Sequence, residues 1–288
     1  MAERIGVIGL GRMGRAIAAG LAGAGFDTTG WNRSPVDPSE VSVPLAPDLA
    51  SLVVASDIVI LSLFDDIAVT EVMEKLLTLD LSGKLIADTS TVRPETLRGF
   101  AARLGTTGAC AVDAPISGGP EMVAARTAGM FLGGAEADID RFRPAAGAIA
   151  GAVRAVGPLG AGVAAKIANN ILLAGSLQAL KEAVQTGLAA GLDLRTLVTF
   201  LSEGPAANGF FRARLPEILG DSERVGFPVA GALKDIDLFL DVAGRLGVNA
   251  PATAAAKASF EAVADKGFAE QDVAMVIRDV WQTGHRDV

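Results

Sequence analysis

The sequence predicts an α/β fold, a doubly wound and mainly parallel sheet, followed by an all-α C-terminal domain. Three observations predict it. Short apolar runs of β type alternate with helical patterns between Arg4 and Val156. The first strand-to-helix turn is rich in glycine, and after Gly157 the strand signal stops and one long apolar helix begins. The chain has 288 residues, 50% of them hydrophobic, which suffices for one large or two smaller domains with sizeable cores. The expected division is 1–159 for the α/β domain and 160–288 for the helical domain, joined by a long interdomain helix.

Residues Arg4–Gly9 read as a short buried strand, followed by Gly9-Leu10-Gly11-Arg12-Met13-Gly14 and by a helix from Arg15 that ends near Gly23 or Gly25. Strand, Gly-x-Gly-x-x-Gly and helix in that order form the fingerprint of a Rossmann dinucleotide site. The first glycine permits a tight turn, the second lets a pyrophosphate approach the backbone, and the third allows close helix–strand packing. The second strand, Asp27–Trp31, ends in Asn32-Arg33-Ser34. An NAD site usually carries an acidic residue there for the ribose hydroxyls. A carboxylate would repel a 2′-phosphate, whereas a guanidinium and a hydroxyl bind one, so NADP(H) is expected over NAD(H). The competing reading makes Arg33 a solvated turn residue.

Asp57–Leu63 is a buried strand and Asp66–Leu77 a helix. Lys84–Asp88 is a strand leading into Thr89-Ser90-Thr91, and Pro94 opens a helix to about Leu104. Ala109–Ala114 and Gly129–Gly134 are strands, Ala135–Ala150 is a helix and Ala152–Val156 is the last strand. Ligands bind at the carboxyl ends of such strands, which places Leu63, Thr91 and Asp113–Gly119 at the expected nicotinamide and substrate end.

From Gly160 to Ala190 the pattern is one almost wholly apolar helix, expected to be buried under other helices. Its apolar faces also predict a homodimer, or a tetramer, with interlocked helical halves. Asp193 caps a next helix through Leu201, and Gly204-Pro205 and Asn208-Gly209 are breakers. Phe210–Leu219, Val229–Leu246, Pro251–Asp265 and Gln271–Thr283 read as further helices.

Within the long helix, Lys166 stands in an otherwise uncharged run of small residues. Asn169 and Asn170 follow at i+3 and i+4 on one face. An amine beside two amides in apolar surroundings is a candidate proton-transfer group, because desolvation disfavours the ammonium form. The alternative is a lysine that reaches out to solvent. Composition narrows the chemistry. Cys110 is the only cysteine, His285 the only histidine, and there is no tyrosine. Disulfides, Cys-rich or His-based metal sites, His triads and Tyr–Lys relays are thereby excluded, and no metal is expected. Lys, Asp, Glu and Ser remain for acid/base work. A formal net charge of −8 without any Lys/Arg run argues against nucleic acid and anionic membrane surfaces. No uninterrupted apolar run long enough to span a bilayer and no signal-peptide pattern are evident, so a cytoplasmic setting is expected.

Four signatures stand in order: Gly9–Gly14, Asp113-Ala-Pro-Ile-Ser-Gly-Gly119, Gly160–Asn170 and Lys234-Asp235. Together, over essentially the whole chain, they resemble the β-hydroxyacid dehydrogenase family, which includes 3-hydroxyisobutyrate dehydrogenases and tartronate, glyoxylate and succinic semialdehyde reductases. The resemblance implies an NADP(H)-dependent oxidoreductase that moves hydride between nicotinamide and a small anionic β-hydroxy acid or semialdehyde. It implies Lys166 as general acid/base and Asn170 as its amide helper. It implies that Ser117, Gly118 and Gly119 hold the substrate carboxylate, and that Thr91 and Lys234 contact the nicotinamide end. Trp31–Ser34 resembles NADPH-preferring members. Imine reductases share the fold and the cofactor site but typically lack the lysine, as do non-catalytic NADP-binding relatives. A 6-phosphogluconate dehydrogenase would carry His-Asn at Asn169-Asn170. Gly119-Pro120-Glu121-Met122 departs from the small residues common after that loop. Asn208–Phe211, Arg212 and Phe227 are expected in the helical half over the substrate, with Arg212 either pairing a second carboxylate or solvated.

Overall fold

The computed structural model describes residues 3–284, so His285 lies outside the described residues. The chain forms two compact units, Met1–Ile167 and Ala168–Val288. In the first, β2 (Thr28–Trp31), β1 (Ile5–Ile8), β3 (Ile58–Leu61), β4 (Leu85–Asp88) and β5 (Cys110–Asp113) lie side by side and parallel. Their side chains alternate between two cores, as the period of a strand dictates. Ile5, Val7, Ile58, Ile60, Leu85 and Ala87 enter one core with Ile17, Leu21 and Phe142. Ile8, Val59, Leu61 and Ile86 enter the other with Leu52, Val69, Met73 and Leu104. Both faces of the sheet are thus covered, which is why the strands read as continuous apolar runs.

Beyond β5 the parallel order breaks. β7 (Gly129–Gly134) runs antiparallel to β5 and to β6 (Ile116–Ser117), and β8 (Ala152–Gly157) pairs parallel with β7. Between β6 and β7 the chain holds only the short helix Pro120–Ala124, too little for a crossover over the sheet, so the strand returns antiparallel.

The helices of this unit follow local signals. α1 (Arg12–Gly23) begins inside the glycine motif, ahead of the expected Arg15. α2 (Leu49–Ala55) was not expected; Asp48 caps it by accepting from Ser51 N at 2.7 Å. α3 (Asp66–Leu76) is capped by Asp65, which accepts from Ala68 N at 2.8 Å. The single helix expected from Pro94 is two, α4 (Pro94–Arg98) and α5 (Ala101–Thr107), parted at Gly99-Phe100. α6 is the Pro120–Ala124 helix, and α7 (Glu136–Ile149) leads into β8.

The division between the units falls inside α8 (Ala161–Ala189). This helix corrects one expectation. It is not covered all round: Leu172 is 73% exposed, and Ala164, Ala168, Ala179 and Ala183 share its exposed stripe. By length and composition alone, 29 residues containing an 18-residue window of mean hydropathy 1.2, it is long and apolar enough to cross a membrane. Lys166 and Lys181 interrupt the apolar run in sequence, as expected.

In the second unit α9 (Leu194–Glu203) carries the expected cap, Asp193 accepting from Thr196 N at 2.8 Å. The helix expected over Phe210–Leu219 is two, α10 (Gly209–Ala213) and α11 (Leu215–Leu219), because Pro216 starts a new first turn. α12 (Val229–Arg245), α13 (Pro251–Val263) and α14 (Met275–Gly284) complete it, with a π turn at Ala264–Phe268 after α13. Ile236, Phe239, Phe260, Val263, Val276 and Ile277 are fully buried there. The buried Asp272 accepts from Gly226 N at 2.9 Å, Phe227 N at 3.1 Å and Ala274 N at 3.1 Å, so α14 starts later than the expected Gln271.

Candidate functional site

The glycine motif is shaped by space. Gly9 has φ of +93°, closed to most L side chains, and a Cβ on Gly14 would collide with the carbonyl oxygen of Gly9. A Cβ on Gly11 would meet nothing within 4 Å among the described residues. No side chain caps α1 at Gly11. The N–H groups opening α1 therefore face a clear approach, which fits a pyrophosphate. Leu10 N donates to Asn32 Oδ1 at 2.9 Å, Asn32 Nδ2 donates to Ser34 O at 3.0 Å, and Arg15 Nε donates to Leu10 O at 2.8 Å. Asn32 thus ties the loop to the end of β2. Leu10 is buried, Met13 packs against the core, and Arg12 is exposed.

Arg33 and Ser34 are exposed at the end of β2. The Arg33 guanidinium meets Glu71 of α3 at 2.9 Å, with the two side chains 72% and 50% exposed. Glu71 was not singled out in the sequence: one glutamate among several on an exposed helix face carries no signal of its own. An exposed pair of this kind contributes about 0–1 kcal/mol, so a phosphate can displace the carboxylate.

Leu63 and Thr91 stand half-buried beyond β3 and β4. Leu63 N donates to Ser90 Oγ at 2.9 Å, and Thr89 Oγ1 donates to Leu61 O at 2.7 Å, tying the two strand ends together. Asp88 organises this turn by accepting from Ser90 N at 2.9 Å, while its other carboxylate oxygen is buried without a partner. Burial pushes the Asp88 carboxyl up to about 7, against the pull of the Ser90 hydrogen bonds; the charges of Asp113 and Asp66 push the same way. Asp113 is its register neighbour on β5 and accepts from Gly160 N and Val163 N at 2.6 and 2.7 Å. Burial raises the Asp113 carboxyl too, and those two donors pull it back.

Ser117 lies in β6 opposite Gly129, and Gly118 has φ of +145°. Gly119 opens α6, and a Cβ there would lie 2.7 Å from the carboxylate oxygens of Glu121. The loop expected to hold a substrate carboxylate already has a carboxylate of the chain against it.

On α8, Lys166 and Asn170 are 7% and 6% exposed. Asn169 differs from expectation: it is exposed, and its Nδ2 donates to Asn170 Oδ1 at 3.0 Å. The i+4 position stays closer to the face of Lys166 than i+3 does. In the second unit, Asn170 and Asp235 are the polar members of a shallow, solvent-open hollow lined by Phe227, Phe239 and Phe260 among others. Lys234 of α12 pairs with Asp235 at 2.8 Å, while Asp237 takes Lys257 at 2.7 Å. Arg212 is exposed, and its Nε donates to Ser202 O at 3.0 Å. Burial pushes the Cys110 thiol up to about 11, so it is no thiolate near neutral pH. Among the described residues no group of three or more His, Cys, Asp or Glu is placed to hold a metal ion.

The parallel sheet and the glycine cradle at the start of α1 define a dinucleotide-binding α/β protein. Residues 4–157 match the family described as the NAD binding domain of 6-phosphogluconate dehydrogenase, and residues 160–280 the one described as NAD-binding of NADP-dependent 3-hydroxyisobutyrate dehydrogenase. The chain is 30% identical over 280 residues, 96% of each chain, to 2-hydroxy-3-oxopropionate reductase of Escherichia coli (strain K12). It is similar to the structure of Mycobacterium tuberculosis 3-hydroxyisobutyrate dehydrogenase with L-serine, with a TM-score of 0.88 and 28% identity, over 97% of this chain and 99% of that one. An imine reductase from Pseudomonas sp. shares the fold, with a TM-score of 0.64 and 22% identity over 96% and 99% of the two chains. The chain belongs to the β-hydroxyacid dehydrogenase family of NAD(P)-binding oxidoreductases, whose members act on hydroxyl groups.

The buried Asp88 sets a pH dependence. An unfolded aspartate, near 3.8, has lost its proton where the folded one, near 7, still holds it. Its stabilising contribution is complete below about 3.8 and is lost as the pH rises through about 7. Asp88→Asn stays neutral throughout. Its melting temperature relative to the parent should therefore climb from pH 4 to pH 8, by the equivalent of at most ~4 kcal/mol, in thermal melts across that range.

Proposed function

We propose that this chain is an NADP(H)-dependent dehydrogenase/reductase that interconverts a small β-hydroxy acid and its semialdehyde, with Lys166 as general acid/base. The observation that carries this reading is Lys166 itself, a lysine only 7% exposed near the start of α8. Asn170 follows one turn on and is equally withdrawn from solvent.

The residues fit the cofactor. Gly9, Leu10, Gly11, Arg12, Met13 and Gly14 would hold the pyrophosphate, Asn32 would fix their loop, and Arg33 and Ser34 would take the 2′-phosphate. Leu63, Thr91 and Lys234 are assigned to the nicotinamide end. When bound, the nicotinamide supplies or accepts the hydride. In oxidation, the neutral amine of Lys166 takes the proton of the substrate hydroxyl oxygen; in reduction, its ammonium returns a proton to the oxygen as negative charge develops there. Asn170 orients the amine or that oxygen. Ser117 Oγ and the N–H groups of Gly118 and Gly119 anchor the carboxylate of the substrate. The exposed stripe of α8 supports a homodimer, since a second copy with the same stripe would cover it.

A second reading, reduction of imines, is favoured by Glu121. Its carboxylate against Gly119 opposes an anionic substrate and suits a neutral or cationic carbon–nitrogen double bond.

Three outcomes are expected. Lys166→Ala should lower kcat by at least about 10²-fold while the Kd for NADPH changes less than about twofold, read by steady-state kinetics and NADPH fluorescence; near-normal turnover would end the proposal. Arg33→Ala should raise KM for NADPH about tenfold and leave KM for NADH unmoved; equal effects would remove the phosphate role. Glu121→Gln should raise kcat/KM for an anionic semialdehyde about fivefold over that for a neutral aldehyde, in a paired substrate panel.

A further inference from the structure

We infer that Asp113 is a positioning residue for Lys166: a buried carboxylate on a strand end that fixes where the lysine-bearing helix begins. This rests on the reading of Lys166 as the proton-transfer group.

A helix start leaves backbone N–H groups without partners, and a cap normally comes from the residue just before it. In α8 the acceptor comes from far away in sequence. Asp113, at the end of β5, is 1% exposed. Its Oδ1 accepts from Gly160 N at 2.6 Å and its Oδ2 accepts from Val163 N at 2.7 Å. One carboxylate thus spans the first turn and meets the positive end of a 29-residue helix. Neither oxygen has room to slide. A Cβ on Gly162 would lie 2.7 Å from Oδ2 and 2.5 Å from the carbonyl oxygen of Phe131, and one on Gly133 would run into Oδ1. The helix start is pressed onto the sheet by two missing side chains with the carboxylate between them.

Lys166 follows Val163 by three residues, about 4.5 Å along the axis. Any shift or fraying of the first turn is passed to the lysine backbone. Proton transfer tolerates little of this, since a misplacement of about 1 Å costs roughly 10²-fold. A carboxylate is the side chain that can serve both N–H groups here. An amide of the same shape would turn an NH₂ towards one of them.

The test is Asp113→Asn, assayed well below its melting temperature. We expect kcat for NADPH-dependent reduction of a semialdehyde to fall about 10–100-fold while the Kd for NADPH stays within about twofold. Amide hydrogen exchange should quicken over Gly160–Ile167 and stay unchanged in β1 and β3. In a Lys166→Ala background, Asp113→Asn should lower kcat no further, because a positioning residue has nothing left to position. Should Asp113→Asn fail to fold, Gly162→Ala crowds the same carboxylate with Asp113 intact and should give the same split between kcat and Kd. A kcat within twofold of the parent, or losses that multiply in the double variant, would overturn the assignment. The two ideas fail differently: turnover surviving Lys166→Ala removes the lysine, whereas a dead Lys166→Ala beside a normal Asp113→Asn removes Asp113 alone.

Discussion

The backbone N–H groups at a helix start must find an acceptor, and the two ends of the α/β unit answer that demand in opposite ways. At α1 no side chain answers: Gly11 is bare, the space above it is open, and the first turn is left for a ligand phosphate. At α8 the answer is built in, a buried aspartate with both oxygens engaged. The same partial positive charge stays open to an anion in one place and is neutralised internally in the other. One helix start is thereby open to a ligand anion and the other closed to one.

Carboxylates at the strand ends carry the second theme. Asp88 and Asp113 stand in register on β4 and β5, and Glu121 lies against the loop after β6. They differ in what they touch. Asp113 spends both oxygens on N–H groups, whereas Asp88 has one donor and an orphan oxygen, and its proton is accordingly held to near neutrality. Two buried carboxyls in register cannot both be comfortable as anions, so the one with the poorer hydrogen bonds keeps its proton.

The sequence made the sheet and the cradle legible because both rest on local physics. Short continuous apolar runs and a Gly-x-Gly-x-x-Gly turn need no knowledge of distant partners. What escaped was non-local or weak. β7 turns antiparallel because the link before it is short, which no periodicity records. α2 is a single capped stretch among prolines. Asp113 was visible within a motif, but its bonds to Gly160 and Val163 cross about fifty residues of chain. Lys166 and Asn170 were legible as a pair by helical spacing, whereas Asn169 was assigned to their face although i+3 turns it outward. α8 shows why composition misleads about burial: alanine raises hydropathy yet leaves little area to hide, so an Ala-rich face can stand exposed at small cost.

Burial also separates what is fixed from what can drift. Lys166, Asn170 and Asp113 are almost wholly withdrawn from water, where interactions are strong and a misfit is expensive. Arg33 and Glu71 meet at the surface, where salt screens them and their pairing is worth about 1 kcal/mol or less. A preference between the two nicotinamide dinucleotides set by such groups is shallow and depends on ionic strength. Changing it takes one or two exposed side chains and leaves the core untouched. The acid/base apparatus proposed around Lys166 has no such freedom. Its lysine lies in the second turn of a helix whose start a strand end, two glycines and a buried carboxylate jointly define, so on that proposal a change in any of them reaches the proton-transfer step.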